Sequence, residues 1–259
     1  MFALIFDCDG VLSDTERFGH LPAFNQTFRE EGIPVHWSDE EYGDKVRIAG
    51  GKERMASLLT SEFVAANGLP EDTAGQRALI ARWHQRKTAI YTNLVATGAL
   101  PARAGILRLV EEAISADWLL AVASTSAESS VQAVLDHAVG AWNAAKFHVF
   151  AGDIVPRKKP APDIYLLALE KLGVDAEDAV VIEDSENGVK AAVAAGIATV
   201  ATVSSYTADD DFADAALVVS SLGDPGVEVR VLANPRHLDL TGLIRLTDLA
   251  ALVERGAVR

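Results

Sequence analysis

A single cysteine, Cys8, stands in the 259 residues of the chain. That excludes an internal disulfide and fits a reducing compartment, so a cytoplasmic location is the expectation. Positive charge is scarce too: 23 Lys and Arg stand against 37 Asp and Glu, a formal net charge of -14. This balance argues against nucleic acid or an anionic membrane as partner, because both need basic patches. A small anionic ligand stays open, since a local cationic pocket can sit within an acidic surface. No apolar run reaches the roughly 18 residues of a membrane span. Met1 leads into the first apolar run with no basic segment before it, so no signal peptide is expected. The six histidines (His20, His36, His84, His137, His148 and His237) show no metal-ligand spacing, which disfavours a His or Cys zinc site.

About half of the residues are apolar and the length suits one large or two small domains, so a globular fold with a sizeable core is expected. Short β-rich apolar runs at 2–6, 118–123, 147–151, 179–182, 197–201 and 216–219 read as strands. Helical patterns at 104–115, 127–138, 162–172 and 186–195 lie between them. The strands are continuous apolar runs, as expected where helices cover both faces of a parallel sheet. The fold class is therefore α/β, a doubly wound Rossmann-like core with right-handed crossovers. More than 100 residues separate the first two strands, too many for one crossover, so an inserted helical cap is expected at 14–98. The core is then 1–13 plus 99–259. Within the insertion Phe18, Leu21, Phe24 and Phe28 are placed on one helix face, with Pro22 in a first turn. Further helices are expected at 52–66 and 73–92, and Gly98–Arg103 reads as the return hinge. The stretch 223–242 is punctuated by Gly and Pro, with a strand near Val227–Leu232; the tail 223–259 receives no function.

In an open parallel sheet, ligands bind beyond the carboxyl ends of the strands. Four polar groups follow strands here: Asp7 and Asp9, Ser124-Thr125-Ser126, Lys158 and Lys159 in "GDIVPRKKPAPDIY", and Glu183-Asp184-Ser185. Acids gathered at one rim repel unless a cation joins them. Oxygen-only donors suit a hard cation, with Mg²⁺ the first choice. A bare D-x-D is also what an acidic turn looks like; the second acidic pair after another strand favours chemistry. Ser124, Thr125 and Ser126 serve equally as helix caps or as phosphate donors, and Ser185 reads as a cap. Gly50-Gly51-Lys52-Glu53-Arg54 is a Gly-Gly turn before a charged helix face, or a place for a second phosphate.

The segments "DCDGVLSDTE", "VASTS", "KKPAPDIY" and "VIEDSENGVKAAVAAG" resemble the haloacid dehalogenase superfamily of phosphohydrolases, in that family's order. The cap segment "DTERFGHLPAFNQTF … GGKERM" is similar to the CbbY group. The resemblance covers about residues 1–220. It implies a Mg²⁺-dependent phosphatase acting on a small sugar phosphate, with xylulose 1,5-bisphosphate the implied substrate. It also implies Asp7 as nucleophile and Asp9 as general acid/base. The Asp7 carboxylate, the Asp9 carbonyl and Asp184 are implied as metal ligands supported by Glu183. Ser124 and Lys159 are implied on the transferred phosphoryl group, with Thr125 beside them and Lys158 the neighbouring alternative. Glu16, Gly51, Lys52 and Arg54 are implied on the rest of the substrate. A monomer is the expectation. The rival within the same core and cap is a sugar-phosphate mutase of the β-phosphoglucomutase type, which carries a cap histidine where this chain has Gly19, with His20 one place later. From other classes come a receiver-like phosphoacceptor module, whose acceptor aspartate follows a mid-chain strand, and a non-catalytic sugar-phosphate-binding protein.

Overall fold

The computed structural model describes residues 1–48 and 50–254. They divide into two compact units: Met1–Asp14 with the chain from Leu100 onward, and Thr15–Ala99. Strand β1 (Ala3–Phe6) opens the first unit, and all four of its residues are fully buried. Burying each of Leu4, Ile5 and Phe6 contributes about 1.5–3 kcal/mol, so the first strand is a firm base for the acidic loop at its carboxyl end.

The second unit is helical. A π-turn at Glu16–His20 leads into α1 (Leu21–Glu30), followed by α2 (Asp39–Val46), α3 (Gly51–Ala56), α4 (Ser61–Ala66) and α5 (Thr73–Ala96). Pro22 lies in the first turn of α1, where its missing N–H costs nothing. Phe24 and Phe28 are buried with Trp37, Tyr42 and Trp83, whereas Phe18 is exposed, because the π-turn rotates it off that face. The stretch 52–66 forms two short helices rather than one: Thr60 caps α4 by accepting from the Phe63 N–H, and the chain turns between them. Helix α2 lies outside the elements expected from sequence, although it carries a local signal: Ser38 and Glu41 form a reciprocal capping box.

The rest of the first unit comprises α6 (Ile106–Ser115), β2 (Leu119–Ser124), α7 (Glu128–Val139), α8 (Ala141–Ala144), β3 (Phe147–Ala151), α9 (Asp163–Leu172), β4 (Ala179–Glu183), α10 (Glu186–Ala194), β5 (Ala198–Thr202), β6 (Leu217–Val219), β7 (Val231–Ala233) and α11 (Leu246–Glu254). The sheet runs β3-β2-β1-β4-β5-β6-β7, parallel except for β7, which is antiparallel to β6. The tail strand expected near 227–232 thus forms at 231–233, at the sheet edge. Strand β1 sits centrally, with Phe6 level with Val122 of β2 and Ile182 of β4. One step further, Asp7 is level with Ala123 and Glu183, so the register alone brings the strand-end residues to one rim. No helix among the described residues is long and apolar enough to cross a membrane.

Candidate active site

Asp7 follows β1 directly, and its N–H donates to the Ile182 carbonyl of β4 at 2.9 Å. Strand alternation then turns Cys8 to the opposite side, into the core, where burial and the neighbouring aspartates hold its thiol protonated. Gly10 carries the chain away with a φ of +82°. A Cβ there would lie 1.9 Å from Asp184 Oδ2, so only glycine lets this loop pass the acid of β4. Asp7, Glu183 and Asp184 are all buried, and one carboxylate oxygen from each lies within 4.8 Å of the others.

Lys159 answers part of that charge. Its Nζ donates to Asp7 Oδ1 and Glu183 Oε1, each at 2.6 Å, and to the Ala123 carbonyl at 3.0 Å. The neighbouring Lys158 instead pairs with Asp153 on the exposed surface. Glu183 is saturated: Oε1 also accepts from Tyr165 Oη at 2.6 Å, and Oε2 accepts from the Asp184 N–H and the Ser185 hydroxyl. A Cβ at Gly188 would meet its carboxylate at 1.9 Å, so α10 begins pressed against it. Ser185 caps α10 by accepting from the Gly188 N–H at 3.2 Å.

One lysine does not balance three buried acids. Burial first, opposed by Lys159 and reinforced by Glu183 and Asp9, pushes the Asp7 carboxyl up to about 7. Burial, then Glu183 and Asp7, raises Asp184 well above the carboxylate range. For Lys159, burial works against the charge, but Asp7 and Glu183 outweigh it and raise its pKa. The site holds more negative charge than it can neutralise alone.

Asp9 is half-buried and its carboxylate lies outside the three-acid group; the Ser126 hydroxyl donates to its Oδ2. Ser126 N–H in turn donates to Ser124 Oγ at 3.2 Å. Ser124 is buried at the end of β2 and Thr125 is exposed. Neither caps α7, whose first turn has no side-chain cap. The partner roles of Ser126 and Tyr165 are not apparent from sequence, although both residues lie in the quoted segments.

In the helical unit, Glu16 and Arg54 form a bidentate ion pair, with Arg54 Nη1 2.9 Å from Glu16 Oε2. Tyr42 Oη donates to Glu16 at 2.5 Å and accepts from Arg54 at 2.7 Å. Arg54 Nε also donates to the Ile48 carbonyl at 3.0 Å. Burial works against the Glu16 charge, but His20 and Arg54 outweigh it and hold the carboxyl at about 2. Gly51 lies against the His84 ring and Lys52 is exposed. Thus Arg54, implied by the resemblance as a substrate contact, has its guanidinium committed to Glu16 within its own unit.

Residues 2–196 match the family model of the haloacid dehalogenase-like hydrolases. The chain is a haloacid dehalogenase-like hydrolase. The hydrolase is 45% identical over 226 residues to a CBBY-like protein of Arabidopsis thaliana, covering 87% of this chain and 70% of that one. It is 41% identical over 255 residues to the plasmid-borne protein CbbY of Cupriavidus necator, covering 97% and 95%. Among solved structures, CbbY from Rhodobacter sphaeroides in complex with phosphate superposes with a TM-score of 0.72 at 37% identity, covering 93% of the hydrolase and all of that chain. A mutant of the same CbbY in complex with xylulose-(1,5)bisphosphate gives 0.70 at 38% identity, covering 88% and 99%.

Proposed function

We propose that the protein is a Mg²⁺-dependent phosphatase of small sugar phosphates, with xylulose 1,5-bisphosphate as its substrate and the cytoplasm as its place of work. The observation that carries the reading is the buried Asp7–Glu183–Asp184 group tied by Lys159. The CbbY complexes support the choice of substrate.

The donor set fits a hard divalent cation: carboxylate oxygens only, buried, close together and short of positive charge. Asp7 and Asp184 would hold it, with the Asp9 carbonyl beside them. Glu183 spends its oxygens on Lys159, Tyr165 and Ser185 and so supports from behind. When bound, Mg²⁺ offsets the phosphate charge and keeps Asp7 ionised at neutral pH.

Asp7 attacks phosphorus in line through a carboxylate oxygen. The P–O bond to the sugar breaks and an aspartyl-phosphate forms, which divides one hard hydrolysis into two easier steps. Asp9 gives a proton to the leaving sugar oxygen, then takes one from the water that attacks phosphorus and regenerates the Asp7 carboxylate. A positioned acid/base of this kind contributes about 10²–10⁴-fold. Ser126, which donates to Asp9, holds that carboxyl away from the three-acid group. Lys159 and Ser124 receive the phosphoryl oxygens, where charge develops in the transition state. In the helical unit, Glu16, Gly51 and Lys52 are read as substrate-recognition residues, with Arg54 fixing Glu16 so that its carboxylate presents one geometry.

The test is release of inorganic phosphate from xylulose 1,5-bisphosphate with Mg²⁺, stopped by chelation and restored by Mg²⁺. Conversion of β-glucose 1-phosphate to glucose 6-phosphate without phosphate release would overturn this reading in favour of a mutase.

A further inference from the structure

We infer that Arg103 is a positioning residue for the phosphatase centre: it clamps the loop after Asp9 by the Gly10 carbonyl and holds a positive charge beside the point where that loop passes Asp184. The inference rests on the reading of Asp7, Asp9 and Asp184 as a cation-dependent phosphohydrolase site.

Arg103 looks ordinary in the sequence, a basic residue in the turn "LPARAG". In the structure its Nη1 donates to the Gly10 carbonyl, to the Thr202 carbonyl at 2.8 Å and to Thr202 Oγ1 at 3.1 Å. Its Nη2 donates to the carbonyls of Val203 at 2.7 Å and Ser220 at 2.9 Å. Its own N–H donates to the Leu12 carbonyl at 3.0 Å. One guanidinium therefore joins the loop that follows Asp9 to the ends of β5 and β6. The planar fork suits this work, since several carbonyls are met at once by one rigid group.

No ion pair among the described residues includes Arg103. A guanidinium taken from water without a carboxylate partner is expensive, and satisfying carbonyls alone does not require a charge. Burial indeed works against its charge, and the acids that favour it are Asp184 and Asp14. Its charge thus acts toward Asp184, a member of the acid group that Lys159 leaves unbalanced, and toward Asp14. The Gly10 contact matters independently. Gly10 must pass within van der Waals range of Asp184, so a loop displaced here moves Asp9 and Asp184 together.

Two variants separate the clamp from mere stability, using the full chain. For Arg103→Met we expect Mg²⁺ binding, read by calorimetry on the substrate-free protein, to weaken roughly tenfold, and kcat on p-nitrophenyl phosphate to fall by about tenfold to a hundredfold. KM should change little. Arg103→Lys keeps the charge but not the fork, so Mg²⁺ binding should return close to the natural value while kcat stays well below it. If the Met variant does not fold, the Lys variant decides: wild-type kcat and Mg²⁺ affinity together would overturn the proposal. A lower melting temperature with both quantities unchanged would also overturn it, by showing a purely structural role. Failure of the unaltered protein to bind Mg²⁺ or release phosphate would instead overturn the phosphatase reading itself.

Discussion

Asp7 and Glu16 are both shielded carboxylates that face a cation, yet their environments drive them in opposite directions. Glu16 meets Arg54 one to one through a bidentate pair, with Tyr42 completing the set, and its carboxyl is held at about 2. Asp7 shares Lys159 with Glu183 while Asp184 crowds the same space, and it is pushed up to about 7. A balanced pair is complete within the chain and fixes geometry. An unbalanced acid group is poised for something to arrive, and this comparison is the physical ground for proposing cation chemistry at the first cluster, whereas substrate recognition by the second is proposed from the resemblance to the CbbY group.

The largest break in the comparison comes from removing the shared cation of the acid cluster. Lys159→Met leaves three buried acids without a base and removes a donor to the phosphoryl oxygens. Phosphate release should fall by about 10²–10³-fold or more, since removal of one such donor has that effect elsewhere. Steady-state release of phosphate measures it. A fall of less than tenfold would remove Lys159 from the chemistry.

Breaking the balanced pair should act differently. Arg54→Met strands a mostly buried Glu16, and losing one partner of such a pair costs about 3–5 kcal/mol. Glu16 keeps 23% of its side-chain exposure, so the low end applies. Melting should show the loss, and kcat/KM for xylulose 1,5-bisphosphate should drop much more than for p-nitrophenyl phosphate. Equal losses on the two substrates would make Arg54 structural only.

The smallest effect is also the most specific to the charge argument. The folded-state pKa of Asp7 is raised, so near pH 7 its carboxyl is protonated part of the time. A cation requires the ionised form, and Mg²⁺ binding at pH 7 should release about half a proton or more. Asp184, also raised, adds to this release, and titration in buffers of different ionisation enthalpy measures it. Glu16 has the opposite sign. Its depressed value adds stability that is fully present above about 4.5, its ordinary value, and is lost as the pH falls through about 2. It contributes nothing to proton release at neutral pH.

Much of the acid cluster was legible because short-range rules place it. Apolar runs ending in Asp7, Ser124 and Glu183 mark strand ends, and a parallel sheet must bring those ends to one rim. The same reasoning distinguishes Lys159 from Lys158 only weakly; the structure separates them by burial. What escaped was long-range pairing. Arg103 meets Gly10 across 93 residues and Ser220 across 117, and nothing local in "LPARAG" distinguishes it from a solvated turn residue. The pairing of Arg54 with Glu16, 38 residues earlier, likewise has no local signal. The split of 52–66 into α3 and α4 rests on Thr60, a cap signal inside a pattern that otherwise reads as helix throughout.

The central claim is that Asp7 attacks phosphorus, and Asp7→Asn tests it most directly. The substitution keeps the shape of the side chain and removes its charge, in a cluster that is already too negative, so the fold should persist with an unchanged or higher melting temperature. Phosphate release from xylulose 1,5-bisphosphate with saturating Mg²⁺ should then fall by about 10⁴-fold or more, the scale on which catalytic groups that act as a unit are lost. A folded Asp7→Asn variant that keeps more than about a hundredth of the activity would contradict the account.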